Sequence, residues 1–184
     1  MKKTYVMLAA SVMALGLFAA SWSSAQEAAK ATYAGNAKCK MCHMKVHTAW
    51  AATAHSKAFE NLTKADAKVT AEWAAKMKVE VKGAAKDADG CVGCHVVGHK
   101  QGGWPQADAT KNAAFEGVGC ESCHGPGSLH IASKPADKKA TMATAVTAET
   151  CTGCHTKEAS PNFKFEEAKK TGVHAVPAAA PAAK

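Results

Sequence analysis

Apolar and polar residues alternate with a helical period in the stretch "HTAWAATAHSKAFENL", residues 47–62. His55, Phe59 and Leu62 occupy positions i, i+4 and i+7 of this stretch, and such positions lie on one face of an α-helix. The pattern therefore predicts a helix that presents His55 together with two apolar side chains.

A second helical pattern runs from about Asp66 to Val81, where Trp73 and Met77 stand four residues apart. Glycine and proline are dense between residues 98 and 135, which indicates loops there. Further on, Ser160-Pro161 has the residue types of a helix N-cap and first turn and predicts the start of another helix. No segment gives a convincing strand pattern, so the chain is predicted to be mainly α-helical with extensive loops.

The two ends of the chain differ from the middle. Residues 1–25, "MKKTYVMLAASVMALGLFAASWSSA", combine two lysines, an apolar run and small residues, the pattern of a secretory signal cleaved after Ala25. The competing interpretation is a membrane anchor, but the run of about 16 residues is shorter than the roughly 20 that span a bilayer. Residues 26–175 are then predicted to form one exported domain without a membrane span, and residues 176–184 a disordered Ala/Pro tail.

The predicted domain is poor in large aliphatic residues and phenylalanine. After residue 25 the chain has two leucines, one isoleucine, eleven valines and four phenylalanines, 18 of 159 residues or about 11%. A chain of that composition is either disordered or built around something other than its own side chains.

Charge excludes one class of partner. After residue 25 there are 21 lysines and no arginine against 15 acidic residues, so the formal net charge is 21 − 15 = +6. A basic chain can bind nucleic acid. Export and the lack of arginine, whose planar fork favours phosphate recognition, argue against a nucleic-acid partner here.

All eight cysteines belong to four Cys-x-x-Cys-His motifs. The thiols are Cys39 and Cys42, Cys91 and Cys94, Cys120 and Cys123, and Cys151 and Cys154. The histidines that follow them are His43, His95, His124 and His155. Two thiols at this spacing can bond to the two vinyl groups of one porphyrin, and the next residue can then ligate the iron. Zinc ribbons and disulfides also use paired cysteines, but neither requires the histidine.

The motifs predict four covalently bound haem c groups. These haems would supply the apolar core that the few large apolar side chains cannot form. Each porphyrin offers more flat apolar surface than an aromatic side chain, so its burial contributes several kcal/mol at about 25 cal/mol per Å². The predicted fold is a small multihaem cytochrome c domain whose core is the four haems. A chain without haem is predicted to be unfolded.

Five histidines lie outside the motifs: His47, His55, His99, His130 and His174. A second imidazole makes a haem a low-spin electron carrier, whereas an empty face can bind a small molecule. His47 and His99 each lie four residues from a motif histidine, a reach of at most about 14 Å, too short to pass round that haem to its other face. Each serves a different haem or none: His47 is alternatively an exposed residue at a helix start, and His99 a loop residue beside a propionate.

Several stretches resemble the tetrahaem cytochrome c-554 family. They are "CKMCH" followed by "WAATAH", then "CVGCHVVGHKQGGW", "GVGCESCHGPG" with His130 downstream, and "NFKFEEAKKTGVH", within residues 33–174. The resemblance implies distal histidines at His55, His130 and His174 and a five-coordinate haem at His95. This chain departs from the family at His99, where the family tends to have an aromatic residue, and in a shortened stretch from His155 to His174.

These features predict a periplasmic tetrahaem cytochrome that transfers electrons between redox partner proteins, more an electron carrier than an enzyme. One alternative is a haem enzyme that reduces a small nitrogen oxide at a five-coordinate second haem, with His99 and Lys100 as proton sources. Another is a subunit of an extracellular haem assembly. The sequence leaves the oligomeric state, the pairing of distal ligands and the identity of the partners open.

Overall fold

The computed structural model describes residues 30–171, so the predicted signal segment, the Ala/Pro tail and His174 lie outside the described residues. Short helices joined by turns make up the described chain. The helices are α1 (Asn36–Lys40), α2 (Met44–Ala51), α3 (Ala58–Lys64), α4 (Ala67–Met77), α5 (Asp89–Val92), α6 (Cys120–His124), α7 (Ser128–Ala132), α8 (Ala148–Thr152) and α9 (Phe165–Thr171). Single 3-10 segments occupy Ala85–Asp87, Ala109–Phe115 and Lys138–Thr141.

The prediction of a mainly helical chain is confirmed. Between residues 30 and 171 the backbone forms one isolated antiparallel bridge, Val96 to Glu116, and no longer strand. In the same range no helix is long and apolar enough to cross a membrane.

The predicted helix through His55 is wrong, because His55 lies in a turn between α2 and α3. The Thr53 hydroxyl donates to the carbonyl of Trp50 at 2.7 Å, and the Ser56 hydroxyl donates to that of Ala51 at 2.9 Å. Such side-chain bonds compete with the helical backbone ladder. The carbonyl of His55 also accepts from the backbone N–H of Val118 at 2.8 Å, which ties the turn to a distant segment.

The second predicted helix is present as α4 and ends four residues before the predicted end at Val81. Asp66 caps it, since its carboxylate accepts from the N–H of Val69 at 2.8 Å. Lys78 adopts a left-handed conformation with φ 55°, which stops the helix directly after Met77.

The predicted helix start at Ser160 is also wrong, since the last described helix begins at Phe165. The hydroxyl of Ser160 lies 3.0 Å from Nδ1 of His155 instead of capping a helix. Its backbone N–H donates to the carbonyl of Thr156 at 2.8 Å, so the segment turns back toward the fourth motif.

Side chains provide only a small core. Leu62, Ala85, Val92 and Val96 form one buried cluster, with Phe59 and Trp104 among the residues packed against it. Val97, beside this cluster, has no exposed surface. A core of this size agrees with the sparse supply of large apolar residues in the sequence.

Candidate functional site

Each Cys-x-x-Cys-His motif is folded as a turn of helix. In the first motif the N–H of His43 donates to the carbonyl of Cys39 at 2.9 Å, and in the fourth that of His155 donates to Cys151 at 2.9 Å. Residues i, i+3 and i+4 share one face of a helical turn. Both thiols and the imidazole of a motif are therefore presented on the same side of the backbone.

The described residues fit covalent haem attachment. All eight cysteines are free thiols, and seven of them are at least partly buried, Cys42 being the exposed one. Two thiols with a neighbouring imidazole are the donor set by which haem c is fixed. Each motif thus presents the set of donor groups that covalent attachment of a haem requires.

Hydrogen bonds orient the imidazoles toward ligation. Nδ1 of His95 lies 2.6 Å from the carbonyl oxygen of Ala58, and Nδ1 of His124 lies 2.7 Å from that of Ala143. A carbonyl can only accept, so Nδ1 is the nitrogen that carries a proton, and in the neutral imidazole this leaves the lone pair on Nε2 for a metal. This arrangement, with a backbone carbonyl fixing the ring, is typical of metal-binding histidines.

His130, the histidine downstream of the third motif, is oriented in the same way and faces His43. Its Nδ1 lies 2.9 Å from the carbonyl oxygen of Lys138. The ring centroids of His43 and His130 are 6.1 Å apart, and the ring planes differ by 21°. Two imidazoles on opposite sides of one metal ion, with bonds of about 2.0 Å each, have centroids about 6 Å apart. The pair therefore fits the two ligands of a single iron.

A second pair of imidazoles joins His55 to His155 of the fourth motif. Their ring centroids are 5.9 Å apart with planes at 78°. The pKa of His55 is lowered, first by burial and then by repulsion from His155. A lowered pKa favours the neutral imidazole, which is the form that binds metals.

His55 is held in place by the segment that leads into the third motif. The Val118 N–H binds the His55 carbonyl at 2.8 Å, and the Val118 carbonyl accepts from the indole nitrogen of Trp50 at 2.8 Å. Gly117 approaches this turn so closely that a Cβ there would lie 2.5 Å from the carbonyl oxygen of Ser56, and its φ is +81°. The close approach requires glycine at this position.

Thiols of different motifs are in contact. Cys39 and Cys120 share a hydrogen bond that raises the pKa of Cys39 and lowers that of Cys120 to about 7. Cys94 and Cys154 form a similar pair, in which the pKa of Cys154 is raised and that of Cys94 is lowered to about 7. The first motif therefore adjoins the third, and the second adjoins the fourth.

The third and fourth motifs are also neighbours. The pKa of Cys123 is raised, first by burial and then by the charge of Cys151. The contacts thus connect the motifs in the order first, third, fourth, second, which differs from their order in the chain.

His47 and His99, the two further candidate ligands, have other neighbours. The ring of His47 contacts Trp50, with centroids 5.1 Å apart, and no imidazole among the described residues pairs with it. His99 lies 3.2 Å from a carboxylate oxygen of Asp89 through Nε2, and 5.9 Å from the ring of Trp104. Neither is paired with a motif histidine in the way that His130 and His55 are.

The second motif borders a cavity of about 330 Å³. Cys94, Cys154 and His99 are among the residues that line it. Within residues 30–171, no second imidazole faces His95 as His130 faces His43. The described part of the chain therefore leaves the second motif without a paired histidine.

Sequence reasoning missed Glu121, the acidic residue directly after Cys120. Its side chain is only 2% exposed, and its carboxylate accepts hydrogen bonds from the backbone N–H groups of Gly35, 86 residues earlier, and of Gly127, six residues later. An acidic residue within a motif gives no signal of burial by itself, because the burial depends on a segment about 86 residues earlier. No sequence pattern in the chain marks that contact.

Comparisons with known proteins identify the family of this chain. The family described as "Cytochrome c554 and c-prime" matches residues 38–125, a range that includes three of the four motifs. Cytochrome c-554 of Nitrosomonas europaea is 42% identical over 122 residues, 66% of this chain and 50% of that protein, so the alignment spans half the relative's length. The structure of reduced cytochrome c554 from the same organism superposes with a TM-score of 0.55 at 30% identity, covering 77% of this chain and 83% of that one.

Proposed function

Because this chain belongs to the cytochrome c554 family of multihaem c-type cytochromes, we propose that it is a periplasmic tetrahaem carrier that passes electrons between redox partner proteins. Covalent haem c and electron transfer follow from membership of the family. The number of four haems, the periplasmic location and the partners are parts of the proposal.

The main support for this proposal is that thiols of different Cys-x-x-Cys-His motifs contact one another. The thiol pairs Cys39–Cys120 and Cys94–Cys154, together with the proximity of Cys123 to Cys151, bring four attachment points into one chain of neighbours. When bound, haem c supplies a reversible one-electron couple. Neighbouring attachment points support the proposal that electrons pass from one haem to the next.

The imidazole pairs indicate the ligation of individual irons. His43 with His130, and His155 with His55, fit six-coordinate haems at the first and fourth motifs. For the third motif, His124 is the proximal ligand and His174, outside the described residues, is the proposed distal one. Two imidazoles per iron suit electron transfer, because they leave the metal no open position.

The surface around the first motif favours an acidic partner. Residues 36–59 contain four lysines, Lys38, Lys40, Lys45 and Lys57, and no acidic residue. Clusters of one charge steer association with a partner of the opposite charge. Electron transfer to an acidic redox protein should therefore slow as salt is raised.

A second candidate function rests on the second motif. His95 faces no paired imidazole among residues 30–171, and the cavity beside this motif contains His99. An open iron next to a proton-bearing side chain suits reduction of a small nitrogen oxide.

Mass spectrometry of the protein from a periplasmic fraction tests the first proposal. We expect a chain that begins at Gln26 and carries four haems, with four reversible one-electron steps in a redox titration. Fewer than four haems in the fully matured protein would contradict it.

Low-temperature EPR of the oxidised protein separates the two candidate functions. A high-spin signal from about one iron in four supports an open second haem, whereas wholly low-spin spectra exclude the enzyme.

A further inference from the structure

Glu121 is an ionisable side chain buried where two haem-attachment motifs meet. It is 2% exposed and directly follows Cys120, the first thiol of the third motif. Acidic side chains are almost never buried unless they are paired, because removing the charge from water is costly. Something in the fold must therefore compensate for its burial.

Backbone N–H groups provide that compensation. The carboxylate accepts from Ala34 at 2.9 Å, from Gly35 at 2.8 Å and from Gly127 at 2.7 Å. Every one of these partners is a donor, which matches an ionised carboxylate because that form only accepts. None of the ion pairs among residues 30–171 includes Glu121, so its negative charge is not cancelled by a neighbouring cation.

The same bonds fix the first motif against the third. Gly35 is the N-cap residue of α1, the helix that carries Cys39, whereas Glu121 lies in α6 beside Cys120. The charge of Glu121 acts on both thiols. It is one of the causes that raise the pKa of Cys39, after the hydrogen bond to Cys120 and burial, and it opposes the lowering of the pKa of Cys120.

We propose that Glu121 is a positioning and charge-tuning residue that lowers the reduction potentials of the haems attached at the first and third motifs. Reduction adds an electron to the iron, and a fixed negative charge nearby disfavours that addition. The effect is strongest where the charge is withheld from water. The inference rests on the proposed function, since it requires haems at both motifs.

Redox titration of the complete holoprotein tests this role, with Glu121→Gln as the main variant. Glutamine keeps the size and an accepting oxygen but removes the charge. We expect two of the four midpoint potentials to move to more positive values and the other two to stay. Glu149→Gln is the matched control, because Glu149 lies two residues before Cys151 but is exposed. Its removal should leave all four potentials in place, since water screens exposed charges.

Counting the haems in each variant separates the inference from the proposed function. An E121Q protein that carries four haems with four unchanged potentials overturns the role of Glu121 and leaves the tetrahaem carrier intact. A wild-type protein with fewer than four haems contradicts the carrier itself.

Glu121→Asp distinguishes charge from structure, and it serves as the test where E121Q does not give a folded protein. Aspartate keeps the charge but is one methylene shorter, so the bonds to Gly35 and Gly127 weaken. We expect lower stability with potentials close to those of the wild type. Two outcomes would overturn the assignment. One is a shift of the E121D potentials as large as the shift expected when the charge is removed, and the other is a shift of all four potentials.

Discussion

The imidazole rings of His55 and His155 lie 5.9 Å apart, although one belongs to the turn between α2 and α3 and the other to the fourth motif. Their separation fits two ligands on opposite faces of one iron. Replacement of His55 by alanine should therefore open the haem at the fourth motif. In the oxidised variant we expect an additional high-spin EPR signal from about one iron in four. The wild type should lack this signal, because its fourth haem keeps both imidazoles.

His99→Phe is the control for this experiment. His99 contacts Asp89 and Trp104 and has no paired motif histidine in the described chain. The variant should keep the wild-type number of low-spin haems. If H55A and H99F give the same spectrum, the proposed pairing of His55 with His155 is wrong.

His130→Ala should have the corresponding effect at the first motif, because His130 faces His43 at 6.1 Å. His47→Ala is the matched comparison: His47 is closer in sequence to His43, but its ring contacts Trp50. We expect a gain of high-spin iron in H130A and none in H47A, measured by EPR and by the visible spectrum. A gain in H47A and none in H130A would contradict the pairing of His130 with His43.

Burial predicts different costs for the same substitution at two valines. Val97 has no exposed surface, whereas Val69 on α4 is 40% exposed. Val97→Ala should lower the free energy of unfolding by about 2 kcal/mol, through lost apolar burial and the cavity left behind. Val69→Ala should change it by less than about 0.5 kcal/mol. Denaturant unfolding of the oxidised holoproteins measures both, and equal losses would contradict the core assigned to Val97.

Asp89 should contribute stability that depends on pH. Its pKa is lowered, chiefly by the hydrogen bond from Lys100 and further by the charges of Lys100 and His99. A carboxyl whose pKa is lower in the folded state stabilises the fold above its unfolded pKa of about 4, and that stability is lost as the pH falls through the folded pKa. Asp89→Asn should thus be less stable than the wild type at pH 7, with the difference vanishing in acid.

Lys100→Gln supplies the complementary variant for the pH experiment. It removes the main partner, so the pKa of Asp89 in the folded protein moves back toward its unfolded value, and the loss of stability in acid should be smaller than in the wild type. Unfolding curves collected between pH 3 and pH 8 measure this, a range in which the lysine itself stays charged. Parallel curves for wild type and D89N at every pH would rule out the contribution of Asp89.

The local sequence pattern was sufficient to identify the haem-attachment chemistry of this protein. Cys-x-x-Cys-His is a local arrangement, because residues i, i+3 and i+4 share a face within one helical turn whatever surrounds it. The helical class and the capped start of α4 at Asp66 are similarly local. The shortage of large apolar residues, which pointed to a core supplied by haem, is a property of composition alone.

Tertiary structure decided which motifs are neighbours and which histidines face each other. His55 was expected on a helix face, but hydroxyls of Thr53 and Ser56 and the distant N–H of Val118 hold it in a turn. The burial of Glu121 likewise depends on N–H groups about 86 residues earlier. Periodicity reports only contacts within a few residues along the chain, whereas these contacts form when separate segments pack together, so the sequence alone did not place them.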